Sequence, residues 1–146
     1  MKSTILFLIC LIVMATDAQS QDLSSHRWED RLILILTDDT NNSVYQNQIE
    51  ELYSDQQGLD DRKLVIYTVL PDKFKRDDKE KEDWVESNKL YSDYKKSEKP
   101  FEILLIGLDG GVKLRQSELL SNEDFFGRID QMPMRRNELR QRNGEN

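Results

Sequence analysis

Between Phe101 and Arg115 an apolar strand, an Asp-Gly-Gly turn and an alternating strand follow one another without a break. Phe101 to Gly107 reads as a buried strand, and Asp109-Gly110-Gly111 supplies the positive φ that a tight hairpin needs. In the return strand Val112 and Leu114 alternate with Lys113 and Arg115, the pattern of an edge strand buried on one face and wet on the other. Whatever else the chain does, it holds an antiparallel strand pair near its C-terminal end.

Two further apolar runs precede that hairpin. Arg31 to Thr37 is continuous, suits a strand buried on both faces, and ends at Asp38-Asp39-Thr40-Asn41-Asn42. A helix is predicted from about Ser43 to Gln57, because Tyr45, Ile49, Leu52, Tyr53 and Gln56 recur at helical spacing and Gly58 stands where a C-terminal cap would be. Lys63 to Leu70 is the second buried strand, stopped by Pro71. From Arg76 to Asp83 every residue is charged, three positive and five negative. That run reads as a solvated loop and the first turn of a helix whose Trp84, Tyr91 and Tyr94 face the core. Ser121 caps a last helix with Asp124 as its capping-box partner, and Phe125, Phe126, Ile129 and Met132 form its apolar stripe. Pro133 closes it, and Met134 to Asn146 is polar and Arg-rich. Trp28 is expected to cover one edge of the core.

Long crossovers join the first three strands and a tight turn joins the last two, so the sheet must be mixed. The order β-α-β-α-β-β-α, with four strands and helices on both faces, is that of a thioredoxin-like α/β domain.

The 146 residues suffice for one domain. Residues 1–20 read as a signal peptide, with Lys2 as the positive region, an apolar stretch from Ile5 to Ala15, and small residues at Thr16, Ala18 and Ser20. Those 11 apolar residues fall short of the roughly 20 that span a bilayer, so an anchor is disfavoured. Residues 21–134 then form the domain and 135–146 a polar tail, in a secreted or periplasmic protein. The one cysteine, Cys10, lies inside the apolar stretch, so a cleaved chain has no disulfide and no thiol chemistry. The net charge of −7 survives cleavage because Lys2 and Asp17 cancel, and it disfavours nucleic acid and anionic lipid as partners.

Three segments carry a family resemblance: Arg27-Trp28-Glu29-Asp30-Arg31 with Asp38-Asp39 after the strand; Leu104 to Arg115; and Arg128-Ile129-Asp130-Gln131-Met132-Pro133-Met134-Arg135-Arg136. Together they resemble the domain of unknown function 4174, also called P-DUDES. That family occurs as single-domain exported proteins of bacteria and as modules of secreted vertebrate matrix and sushi-repeat proteins. The resemblance implies a thioredoxin-like fold and export, while the family's biochemical activity is not established. Redox thioredoxins carry Cys-x-x-Cys after the first core strand, where this chain reads Thr37 to Asn42. They also keep a cis proline before the third strand, near the position of Pro100, and the isomer here is left open.

No catalytic constellation, metal-ligand spacing or cofactor motif stands out. Asp38 and Asp39 occupy the carboxyl end of a strand, where open α/β folds bind ligands, and could serve a thiol-independent enzyme or a hard cation; loop and capping roles compete with that. Lys113 and Arg115 could join Arg135, Arg136, Arg140 and Arg142 in a positive patch for a protein or an acidic polysaccharide, against the alternative of a solvated edge and a fraying tail. Met132-Pro133-Met134 reads as a helix stop with core-filling thioethers. His26, the only histidine, is expected to be exposed. A binding or structural module is the favoured function, with the carboxylate enzyme as the alternative.

Overall fold

The computed structural model describes residues 23–77 and 83–144. The expected signal peptide and the centre of the charged run lie outside the described residues. A 3-10 turn, Leu23–His26, leads into β1 (Arg31–Thr37), α1 (Ser43–Tyr53), α2 (Gln56–Asp61), β2 (Leu64–Val69), β3 (Lys73–Asp77), β4 (Val85–Glu86), α3 (Lys89–Tyr94), β5 (Phe101–Ile106), β6 (Val112–Gln116), α4 (Asn122–Asp130) and α5 (Pro133–Arg142). The strands form one mixed sheet in the order β4-β3-β2-β1-β5-β6. Only β1 and β2 run parallel; β5 is antiparallel to β1, β6 to β5 and β3 to β2.

The continuous apolar runs occupy the middle of the sheet, where both faces are covered. Leu32 to Leu36 of β1 are at most 1% exposed, and each such aliphatic side chain contributes about 1.5–3 kcal/mol on burial. Ile33, Ile35, Ile103 and Leu105 face α1, α2 and α4 through Leu52, Leu59, Phe125 and Ile129. Leu32, Leu34, Leu36, Leu104 and Ile106 face the other way, against Tyr67, Phe74 and Leu90 of α3. Gln48 is fully buried on α1, where its amide donates to Leu120 O at 2.9 Å and accepts from Leu120 N at 2.8 Å. That amide pair satisfies a stretch of loop backbone that neither helix nor strand reaches.

Among the described residues the sheet has six strands rather than the expected four, because Pro71 reverses the chain instead of ending it. Leu70 N donates to Lys73 O at 2.8 Å, and β3 returns along β2 with Phe74 buried beneath it. One apolar residue among Lys73, Lys75, Arg76 and Asp77 suffices for a strand near the edge, since only one face needs covering. The helix expected after the charged run is therefore short. Trp84 does not face the core: it stands beside β4, half-exposed, with the Lys73 and Lys75 ammonium groups 5.3 and 5.4 Å from its ring centre. Tyr91 and Tyr94 do pack against the α3-side core.

The helix predicted to Gln57 breaks at Ser54, and Asp55 caps a separate α2 by accepting from Gly58 N at 2.8 Å. Gly58 lies buried inside α2 rather than capping α1. Ser121 caps α4 as expected, accepting from Asp124 N and donating to its carboxylate. Pro133 follows that helix but also opens α5, where proline's missing N–H has no intrahelical partner to lose.

Candidate binding site

One cleft of about 270 Å³ opens at the end of the sheet where β1 begins and β5 stops. Its walls are Arg31, the turn residues Gly107, Leu108 and Asp109, Lys113 of β6, and Met132, Pro133 and Met134 at the junction of α4 and α5. All three segments that carried the family resemblance meet in it. Arg27 and Trp28 adjoin it as well: Trp28 N donates to Leu108 O at 2.7 Å.

The turn wall is set by its glycines. Gly110 has φ +82°, and a side chain there would also meet the Arg27 guanidinium, whose Nε is 3.0 Å from an ideal Cβ. A Cβ on Gly107 would stand 2.7 Å from Lys113 Cε, so the lysine stem crosses the turn only because position 107 is bare. Lys113 Nζ thereby reaches Asp109 Oδ2 at 2.7 Å, and Gly111 N donates to Asp109 Oδ1 at 2.9 Å. The Lys113 bond first, and the Gly111 N–H second, hold the Asp109 carboxyl below the usual carboxylate range.

The opposite wall is held by charge. Arg135, the one buried residue of α5, reaches Asp61 of α2, Asp130 of α4 at 3.2 Å and Glu138 at 3.3 Å. Arg31 bonds Glu138 at 3.1 Å and Arg62 O at 3.0 Å; Arg62 bonds Asp130 at 2.6 Å and lies 4.2 Å over the Phe126 ring; Arg142 bonds Asp61 at 2.6 Å. Burial works against the Arg135 charge, but Asp61 and Asp130 outweigh it and raise its pKa. The Arg142 bond, with Arg135 behind it, lowers that of Asp61.

The sequence-nominated residues stand apart from one another in the structure. Asp38 and Asp39 sit at the far end of β1 from the cleft. Tyr91 Oη donates to Asp38, and burial together with that bond pushes the Tyr91 pKa up to about 12. Asp39 Oδ1 accepts from Asn41 N at 2.9 Å and Asn41 Nδ2 at 3.0 Å, a local turn, while Asn42 rather than an aspartate caps α1. Nor do the six cations form one patch. Lys113 serves the cleft. Arg115 bonds Tyr94 O at 2.7 Å and the buried Glu102 carboxylate. Arg135 is buried, Arg142 is paired, and Arg136 and Arg140 are the exposed cations of α5 without a carboxylate partner among the described residues.

His26 is buried, not exposed: Nδ1 meets Asp30 Oδ2 at 2.7 Å and Nε2 meets Tyr67 Oη at 2.8 Å. Trp28 does not cover the core; it is 60% exposed at φ +70°. The Lys99–Pro100 bond is not cis. Among the described residues no group of three or more His, Cys, Asp or Glu is placed to hold a metal ion, and no helix is long and apolar enough to cross a membrane. Sequence reasoning passed over Arg31, Leu108 and Met134 as site residues, although all three stand inside the segments that carried the resemblance.

A family described as domain of unknown function (DUF4174) matches residues 22–138. The chain belongs to the DUF4174 family. No curated protein and no solved structure matches it. The DUF4174 match runs from the lead-in through Glu138 of α5, and so takes in every wall of the cleft.

Proposed function

We propose that this DUF4174 domain is an exported, non-redox, thioredoxin-like binding module whose binding face is the cleft at the start of β1. The observation that carries this reading is the convergence of Arg31, the Gly107–Asp109 turn, Lys113 and Met132 to Met134 on one concavity. The inner strand order β2-β1-β5-β6, with β1 and β2 parallel and β5 and β6 reversing, supports the thioredoxin-like assignment; β3 and β4 are then an added edge. The size of the cleft suits one or two side chains of a partner rather than a drug-sized ligand, which typically needs about 300–1,000 Å³. Leu108, Met132 and Met134 give it an adaptable apolar lining, and thioethers fit irregular surfaces well.

The test compares cross-linked capture from envelope and culture fractions by the wild type, Met134→Asp, and the double substitution Asp38→Ala with Asp39→Ala. A specific partner should be lost with Met134→Asp and kept by the double variant. Capture that ignores Met134→Asp, or that disappears with the two aspartates, would sink the assignment.

A further inference from the structure

Trp28 is the most exposed large apolar residue among those described, and its backbone adopts φ +70°. A bulky residue in the left-handed region is strained, and such strain persists only where the surroundings over-determine it. They do so here. Arg27 N donates to Ser24 O at 3.0 Å, Glu29 N and Asp30 N both donate to His26 O at 2.9 Å, and Trp28 N donates to Leu108 O. The His26 ring, clamped between Asp30 and Tyr67, fixes the segment from below. The fold thus spends conformational energy to hold an indole out in solvent one hydrogen bond from the cleft wall.

The indole is not alone there. Met134, 39% exposed, lines the cleft whose wall residue Leu108 accepts from Trp28 N. The cations that line the cleft are already matched, Arg31 by Glu138 and Lys113 by Asp109. Arg27 is exposed, lies against Gly110, and has no carboxylate partner among the described residues. The rim therefore offers an aromatic face, an apolar pocket and a guanidinium able to take a carboxylate in bidentate fashion.

We propose that Trp28 and Arg27 form a recognition surface for a polypeptide segment of another protein, with one apolar residue seated in the cleft and an acidic residue opposite Arg27. This rests on the reading that the cleft is the binding face. Tryptophan and arginine are the side chains that most often carry interface energy.

A displayed random-peptide library, panned against the purified chain, supplies the probe; anisotropy of the dye-labelled peptide reads affinity for every variant, and emission of Trp28 in a Trp84→Phe background reads contact with the indole. Selected peptides should pair an aliphatic or aromatic residue with Asp or Glu, shift that emission on binding, and lose affinity about tenfold or more with Trp28→Gly and with Arg27→Glu. Glu29→Gln should leave affinity unchanged. Trp28→Gly should also melt at the same temperature or higher, because glycine relieves the left-handed backbone. A lower melting temperature for Trp28→Gly, with affinity lost there but unchanged in Arg27→Glu, would make Trp28 a structural clamp and overturn the proposal. Peptides sensitive to Met134→Asp but indifferent to Trp28→Gly and Arg27→Glu would leave the cleft as the binding face and overturn the role of the rim. A library yielding nothing sensitive to any of these substitutions overturns both. Sedimentation showing a dimer that Trp28→Gly dissolves would assign the surface to a second copy of this chain instead.

Discussion

Arg135 shows how far a single side chain can depart from its sequence context. In a segment read as polar tail it is 1% exposed and satisfies Asp61, Asp130 and Glu138 together. Each of those carboxylates keeps a second arginine, Arg142, Arg62 or Arg31, so Arg135→Ala removes a buried cation with its packing and hydrogen bonds rather than stranding its partners, and should cost about 1–3 kcal/mol in chemical denaturation. Gly58 is a second case. A Cβ there would stand 2.6 Å from Phe126 Cε2 and 2.5 Å from Asp55 Oδ2, against a core ring and the α2 cap at once. Gly58→Ala should lower stability by about 1–3 kcal/mol, read from the same denaturation midpoint. Lys63 goes the other way. It holds φ +52° just past the C-terminus of α2, where glycine is preferred, and Lys63→Gly should leave stability equal or raise it by about 0.5–1 kcal/mol. None of these was legible beforehand, because burial of an arginine and closeness at a glycine depend on elements far apart in the chain.

At the level of elements, the strands were legible and their neighbours less so. Continuous Leu, Ile and Val runs leave little choice for β1, β2 and β5, and the Asp-Gly-Gly turn sets β6. The strand β3 was missed because charge hides it: Phe74 is its sole buried side chain, and Phe74→Ala should cost about 3–5 kcal/mol. Helix α5 was missed because its attachment is ionic, whereas sequence periodicity reports apolar stripes. That ionic attachment, and the Glu102–Arg115 pair between β5 and β6, make the fold sensitive to acid. Burial favours protonating Glu102, but the Ser97 N–H, Arg115 and the Lys96 N–H overcome it and lower its pKa; Asp61 is lowered through Arg142 and Arg135. A carboxylate with a depressed folded pKa contributes stability that is complete above its unfolded value, near 4, and is lost as pH falls through the folded value. Thermal unfolding should therefore be flat with respect to these two groups above about pH 5 and decline below about pH 4. Asp61→Asn should flatten part of that decline, and an unchanged acid limb would remove the assignment.

For the whole molecule, a mixed α/β sheet was legible in the sequence, whereas of the nominated residues only Lys113 lines the cleft at the start of β1. Analogy with redox thioredoxins draws attention to Asp38 and Asp39, whereas the cleft lined by Arg31, Lys113 and Met134 lies at the other end of β1, assembled from segments about 100 residues apart in sequence. Composition carries one prediction at this scale. A chain whose single cysteine is Cys10 has none in residues 21–146, so the melting temperature of that segment should be the same with and without reductant. The polarity of the sheet has a practical side. The seven residues of β1 span roughly 20 Å, so an occupant of the cleft stands that far from Asp39. A dye or surface tether attached at Asp39 would ride with the protein without shading the cleft, which makes that aspartate a natural handle for immobilisation.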